Sequence, residues 1–253
     1  MFSENLVYSA LQPNLHMKRF LPLFFSLALI ITACKNNSTS GESGGRVDPK
    51  ISGVPDTIKM DATANRDMLI ILGMLPDTLT KSFVWTRDQR LNMRQSVESK
   101  GYFLDSLKNF SDVKAFKNNH IDLTVADSRF LMTTYQIRDG HYVVLAIETI
   151  KDKQRVNAYE IYKNSAATLD LEELLGKYPL LFMTDATSQS CLGMLYDKNP
   201  VFSFAISDND LVKISIKNYD ESGAKGCLKG NQLVLRFNKI EMPFDVVSLT
   251  WED

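Results

Sequence analysis

The chain has 253 residues, 44% hydrophobic and 23% charged, which are the proportions of a folded protein rather than a disordered one. Its 29 basic and 30 acidic residues give a formal net charge of −1. With no basic excess to neutralise phosphates, nucleic acid is not an expected partner.

Phe2 to His16 is polar and mixed and adds nothing to targeting. Met17 is followed at once by Lys18 and Arg19, so residues 1–16 read as a mis-called gene start. Phe20 to Ile31 is then almost wholly apolar, interrupted by Pro22 and Ser26. The run is shorter than the roughly 20 residues a helix needs to cross hydrocarbon. It matches the roughly 7–15-residue core of a signal peptide. Ile31-Thr32-Ala33-Cys34 closes it, with a small residue before the cysteine. This series resembles the signal peptide (residues 17–33) and lipobox of a bacterial lipoprotein. The resemblance implies that diacylglycerol alkylates the Cys34 thiol, that cleavage follows before Cys34, and that the new amine is acylated, for instance by palmitate. The implied partner is a membrane of the cell envelope, reached through the lipid. Lys35 stands where many inner-membrane lipoproteins carry Asp, so the resemblance favours the outer membrane, on either face.

Residues 35–45 hold no hydrophobic side chain and are rich in Ser, Asn and Gly. Such a segment cannot offset its ordering entropy by burial. Residues 34–50 therefore read as the anchor and a flexible tether, and 51–253 as the globular region.

Thr86-Arg-Asp-Gln89 has the form of a capping box, and Gly101 is a natural stop, so Arg87 to Lys100 is predicted helical. Tyr102 to Phe116 is assigned a second helix. From Ile121 onwards strands are expected. Asp139-Gly140 between the runs Phe130–Ile137 and His141–Ile150 signals a hairpin, and Val156–Lys163 makes a third strand. Asp170 to Gly176 reads as a short capped helix. A second meander follows in Phe202–Ile206, Leu211–Lys217, Gln232–Asn238 and Val246–Trp251. Its alternation, with Val212, Ile214 and Ile216 against Lys213, Ser215 and Lys217, leaves one face wet. Strand 141–150 is apolar on both faces, so both need cover, and helix 87–100 is the expected cover for one. The predicted fold is α+β: antiparallel β-meanders with a few helices packed on one face, possible subdomains being 51–170 and 171–253.

Chemistry is sparse. Gly41-Glu-Ser43-Gly-Gly45 matches G-x-S-x-G but lies in the tether, without the strand-to-helix turn the motif needs. Ser222-Gly-Ala-Lys225 matches S-x-x-K but lies in a glycine-rich connection. Outside the leader only His120 and His141 remain, both read as exposed loop residues. Asp208 and Asp210 suit a turn better than a calcium loop. No metal site and no cofactor is expected, and no catalytic residue is assigned. With Cys34 lipidated, Cys191 and Cys227 either pair or stay as buried thiols. The aromatics Trp85, Tyr135, Tyr142, Tyr159, Tyr162 and Trp251 suit core packing first and a stacking platform second. Asp56-Thr57-Ile58, Asp77-Thr78-Leu79 and Asp105-Ser106-Leu107 resemble an O-glycosylation pattern on exported proteins of some anaerobic Gram-negative bacteria. That resemblance implies modification at Thr57, Thr78 and Ser106.

The expected function is that of a lipid-anchored envelope protein acting as a binding or scaffolding module, more a non-enzyme than an enzyme. Two alternatives stand beside it: a hydrolase with a site dispersed in sequence, and a structural subunit of an envelope assembly.

Overall fold

In the computed structural model, residues 56–106, 109–197, 200–207, 211–217, 226–240 and 244–252 are described. In chain order the elements are β1 (Asp56–Lys59), α1 (Arg66–Met74), α2 (Arg87–Lys100), β2 (Tyr102–Asp105), β3 (Asp112–Lys117), β4 (His120–Val125), β5 (Ser128–Arg138), β6 (His141–Ile150), β7 (Lys153–Tyr162) and β8 (Ser165–Leu169). There follow α3 (Leu171–Leu174), α4 (Tyr178–Leu181), α5 (Gln189–Asp197), β9 (Val201–Ile206), β10 (Leu211–Lys217), β11 (Gln232–Phe237) and β12 (Phe244–Thr250). Strands β3 to β8 form one antiparallel meander in sequence order, β9 to β12 form a second, and β1 pairs with β2 in a short ribbon. The fold is α+β with antiparallel meanders.

The double-faced apolarity of β6 has a direct cause. Val144 and Ala146 face one core, shared with Phe130 and Met132 of β5 and with α1 and α2. Val143, Leu145 and Ile147 face another, shared with Val212, Ile214, Leu233 and Leu235 of the second sheet and with α3 and α4. The six-stranded sheet is thus the middle layer, and burying each large apolar side chain on it is worth roughly 1.5–3 kcal/mol. The boundary near residue 170 separates two sheets but not two cores.

Helix α2 runs over the predicted residues. The Gln89 N–H donates to Thr86 Oγ1 at 3.3 Å, and the Thr86 N–H donates to Gln89 Oε1 at 2.8 Å. Gly101 ends it at φ 74°, in the left-handed region where a Cβ is costly. The helix is the smaller part of its layer's cover. Met68, Leu69, Ile71 and Leu72 of α1 are all buried against the same sheet face. With Leu69 to Leu72 continuously apolar, α1 has no wet stripe to announce it.

Residues 102–116 correct the sequence reading. They form β2 and β3 instead of a helix. Phe103 and Asp105 point inward while Leu104 points out, and strand pairing with β1 settles the alternation.

Candidate functional site

A groove of about 310 Å³ lies between α2 and β2. On the helix side Gln89, Asn92, Met93 and Ser96 line it, spaced so that they fall on one stripe of an α-helix. Its floor is aromatic. Trp85, Phe103 and Phe110 are buried there, with Trp85 and Phe110 edge to face at 5.6 Å. The far wall carries Ser106 and Asn109. Asp105 accepts the Asn109 N–H at 3.0 Å and the Phe110 N–H at 2.7 Å, which fixes that wall. An apolar floor with a few amides and hydroxyls above it suits a neutral polar ligand, and the volume lies at the small end of known ligand sites.

A buried arginine holds the helical frame of this groove. Arg90 has 0% exposure, and its guanidinium donates to Leu72 O at 2.7 Å, to Pro76 O at 3.2 Å, and to Leu75 O and Trp85 O. These include carbonyls at the end of α1, which have no intrahelical donor. Burial pushes the Arg90 guanidinium below its ordinary value, and the nearby Asp77 carboxylate opposes that. On the other flank Glu148 of β6, 1% exposed, accepts the N–H groups of Lys81 at 2.9 Å and Ser82 at 2.7 Å, and the Ser82 hydroxyl at 2.6 Å. The segment leading to Trp85 is thereby tied to the central sheet.

Both histidines are corrections. His120 lies in β4, 6% exposed, with Nδ1 at 2.9 Å from Thr133 Oγ1. His141 opens β6, 7% exposed, with Nε2 at 2.7 Å from Glu160 Oε1 and its ring 4.9 Å from that of Tyr162. A polar partner on the neighbouring strand makes burial tolerable in each case. The His141–Glu160 pair has the geometry of an oriented base. Yet Nδ1 has no hydrogen-bond partner among the described residues, so no described nucleophile completes it. Among the described residues no three His, Cys, Asp or Glu side chains converge as metal ligands.

The remaining expected positions scatter. Cys191 and Cys227 form a disulfide, with Cα atoms 5.3 Å apart. Thr57, Thr78 and Ser106 all stand exposed, on β1, in a 3₁₀ turn and after β2. Cys34, Ser43, Asp208, Asp210, Ser222 and Lys225 lie outside the described residues. Of the aromatics, Trp85 lies under the groove. Tyr135 sits in the inter-sheet core 5.0 Å from Phe237, and Tyr159 in the helix-side core. Tyr142 hydrogen-bonds Asp67, and burial first and that bond second push its phenol up to about 12. They do not gather into one platform. The groove is not legible in the sequence, because its helix stripe is polar and its other wall has the pattern of a second helix.

No protein-family model matches the chain, and no curated protein matches it. Among solved structures, the chain is similar to a domain of an uncharacterized protein from Porphyromonas gingivalis W83. The identity is 15% and the TM-score 0.45, over 71% of this chain and 97% of that one.

Proposed function

We propose that the protein is a lipid-anchored envelope protein whose folded domain binds or scaffolds a partner. Cys34 carries the lipid, and residues 35–50 tether the domain to the outer membrane. The observation that carries the binding reading is the groove between α2 and β2, an aromatic floor under Gln89, Asn92 and Asn109. The anchor rests on the leader sequence. The groove is held by buried bonds to Arg90 and Glu148, and such preorganisation lowers the entropic cost of holding a ligand.

Two measurements test the proposal. Metabolic labelling with an alkyne fatty acid should mark the wild-type chain and not Cys34→Ala. The chain has two tryptophans, so Trp251→Phe leaves Trp85 as the single fluorescent reporter at the groove. Titration with a panel of neutral oligosaccharides and peptides should then quench or shift its emission for at least one class. An unlabelled Cys34 sinks the anchor, and a silent Trp85 across the panel sinks the groove. The exposed Thr57, Thr78 and Ser106 fit O-glycosylation, which intact mass of the natively exported protein would reveal.

The hydrolase alternative draws on the His141–Glu160 pair. It requires His141→Ala to abolish a measured hydrolysis while leaving the melting temperature nearly intact.

A further inference from the structure

Among the described residues, strand β9 is an edge strand of the second sheet, paired to β10 on one side. Among the described residues its open side is occupied at one position. Gln154 of β7 accepts the Phe204 N–H at 2.7 Å and donates from Nε2 to Phe204 O at 2.9 Å. The side-chain amide thus imitates one residue of a neighbouring strand. Because peptide groups alternate in direction along a paired strand, Phe202 points its N–H and C=O the same way as Phe204. Beside Phe202, on from the Gln154 plug, lies a cleft of about 600 Å³. Among the described residues, Lys151, Lys153 and Lys217 line it with one acid, Asp152, and Val201 adds an apolar wall that is 48% exposed.

Two features set this edge apart. The Phe202 ring is clamped 5.1 Å from Tyr178 and 6.0 Å from Phe182, so the open backbone is held rigid. Lys151 takes a φ of +57° in the turn between β6 and β7. A left-handed lysine is strained where glycine would not be.

We infer that this cleft is a docking site for a short, extended, acidic peptide segment of a partner protein, which adds beside β9 at Phe202. Backbone pairing at Phe202 supplies position, and the three lysines select carboxylates. Nucleic acid fits less well, because its backbone cannot both accept from the Phe202 N–H and donate to its C=O. The site is separate from the α2–β2 groove and stands or falls without it. The bland alternative is that the lysines only keep the edge from pairing with other chains.

The test uses the full chain in detergent and a fluorescein-labelled Glu-Val-Glu-Val-Glu-Val peptide, with the Lys-Val counterpart as control. Saturable binding of the acidic peptide alone is expected, weakened by raising salt from about 0.05 to about 0.5 M. Lys151→Gly combined with Lys153→Gln and Lys217→Gln should weaken it about tenfold or more, with no loss of melting temperature since all three side chains are exposed. Amide exchange at Phe202 should slow on binding, while Phe204, already bonded to Gln154, changes little. Absence of saturable binding overturns the inference and leaves the lysines as edge guards. So does binding indifferent to the lysine replacements. Polygalacturonate binding that needs the lysines but leaves the Phe202 amide exchanging freely would mean a plain anion site, and would also overturn it.

Discussion

Arg90 is the residue whose loss should be felt most. Replacing it with Ala strips donors from the carbonyls of Leu72, Leu75, Pro76 and Trp85 in a site with no exposure. Removing one side of a buried charged network costs about 3–5 kcal/mol. Arg90→Lys should recover little, because a single ammonium cannot span carbonyls spread around a planar fork. Denaturant midpoints check both, and a loss under about 1 kcal/mol for the alanine variant would refute this account. A second residue sets part of the acid limb. Arg129 bonds Asp122 through two nitrogens, at 2.9 and 2.8 Å, and that hydrogen bonding holds the Asp122 carboxyl below the usual carboxylate range. A depressed folded value means the stabilisation is complete above the unfolded carboxylate pKa and disappears as pH falls through the folded one. Asp122→Asn should therefore be less stable than wild type at neutral pH, with the gap closing at strongly acid pH. A pH-independent gap would remove the electrostatic explanation. Half of Arg129 is exposed, so screening by solvent keeps the effect modest.

At the scale of elements, ends and staples matter more than interiors. Helix α2 owes its start to the reciprocal Thr86–Gln89 bonds, and Thr86→Ala should cost about 1 kcal/mol in equilibrium unfolding. Helix α5 owes its place to the Cys191–Cys227 bridge. The bridge spans 36 residues and joins the helix to the segment where Leu228 pairs with Met183. Closing a loop of that size stabilises by about 2–4 kcal/mol. Cys191→Ser with Cys227→Ser should lower stability by that amount, and mostly loosen α5, visible as faster amide exchange there. Two free thiols on the unreduced, natively exported protein would contradict the bridge.

For the whole molecule, the tether and the folded domain should be independent. Deleting residues 36–50 should leave the melting temperature nearly unchanged, since that stretch has almost nothing to bury. A large drop would mean the tether docks on the domain. The domain itself should melt as a single transition. The six-stranded sheet lends one face to the helices and the other to the second sheet, so neither half can open without exposing β6.

What the sequence determined by itself was local. Thr86, Gln89 and Gly101 mark α2 because a cap is made by residues three or four apart. Asp139-Gly140 marks the β5–β6 hairpin because a two-sided turn is written in adjacent residues. The alternation of β10 reveals a wet face because period two is a property of one strand. Tertiary structure decided what depends on neighbours distant in the chain. Helix α1 packs with α2 on one face of the six-stranded sheet without an amphipathic stripe, so its burial came only from the packing around it. Residues 102–105 became a strand because β1, more than forty residues earlier, offers an edge. His120 and His141 became buried because Thr133 and Glu160 reach them across strands. The β9 cleft shares that origin, because residues 149–154, 201–203 and 217 meet only once the two sheets are stacked. The groove lies within residues 85–110 and is hidden for another reason: its far wall is a strand only through pairing with β1.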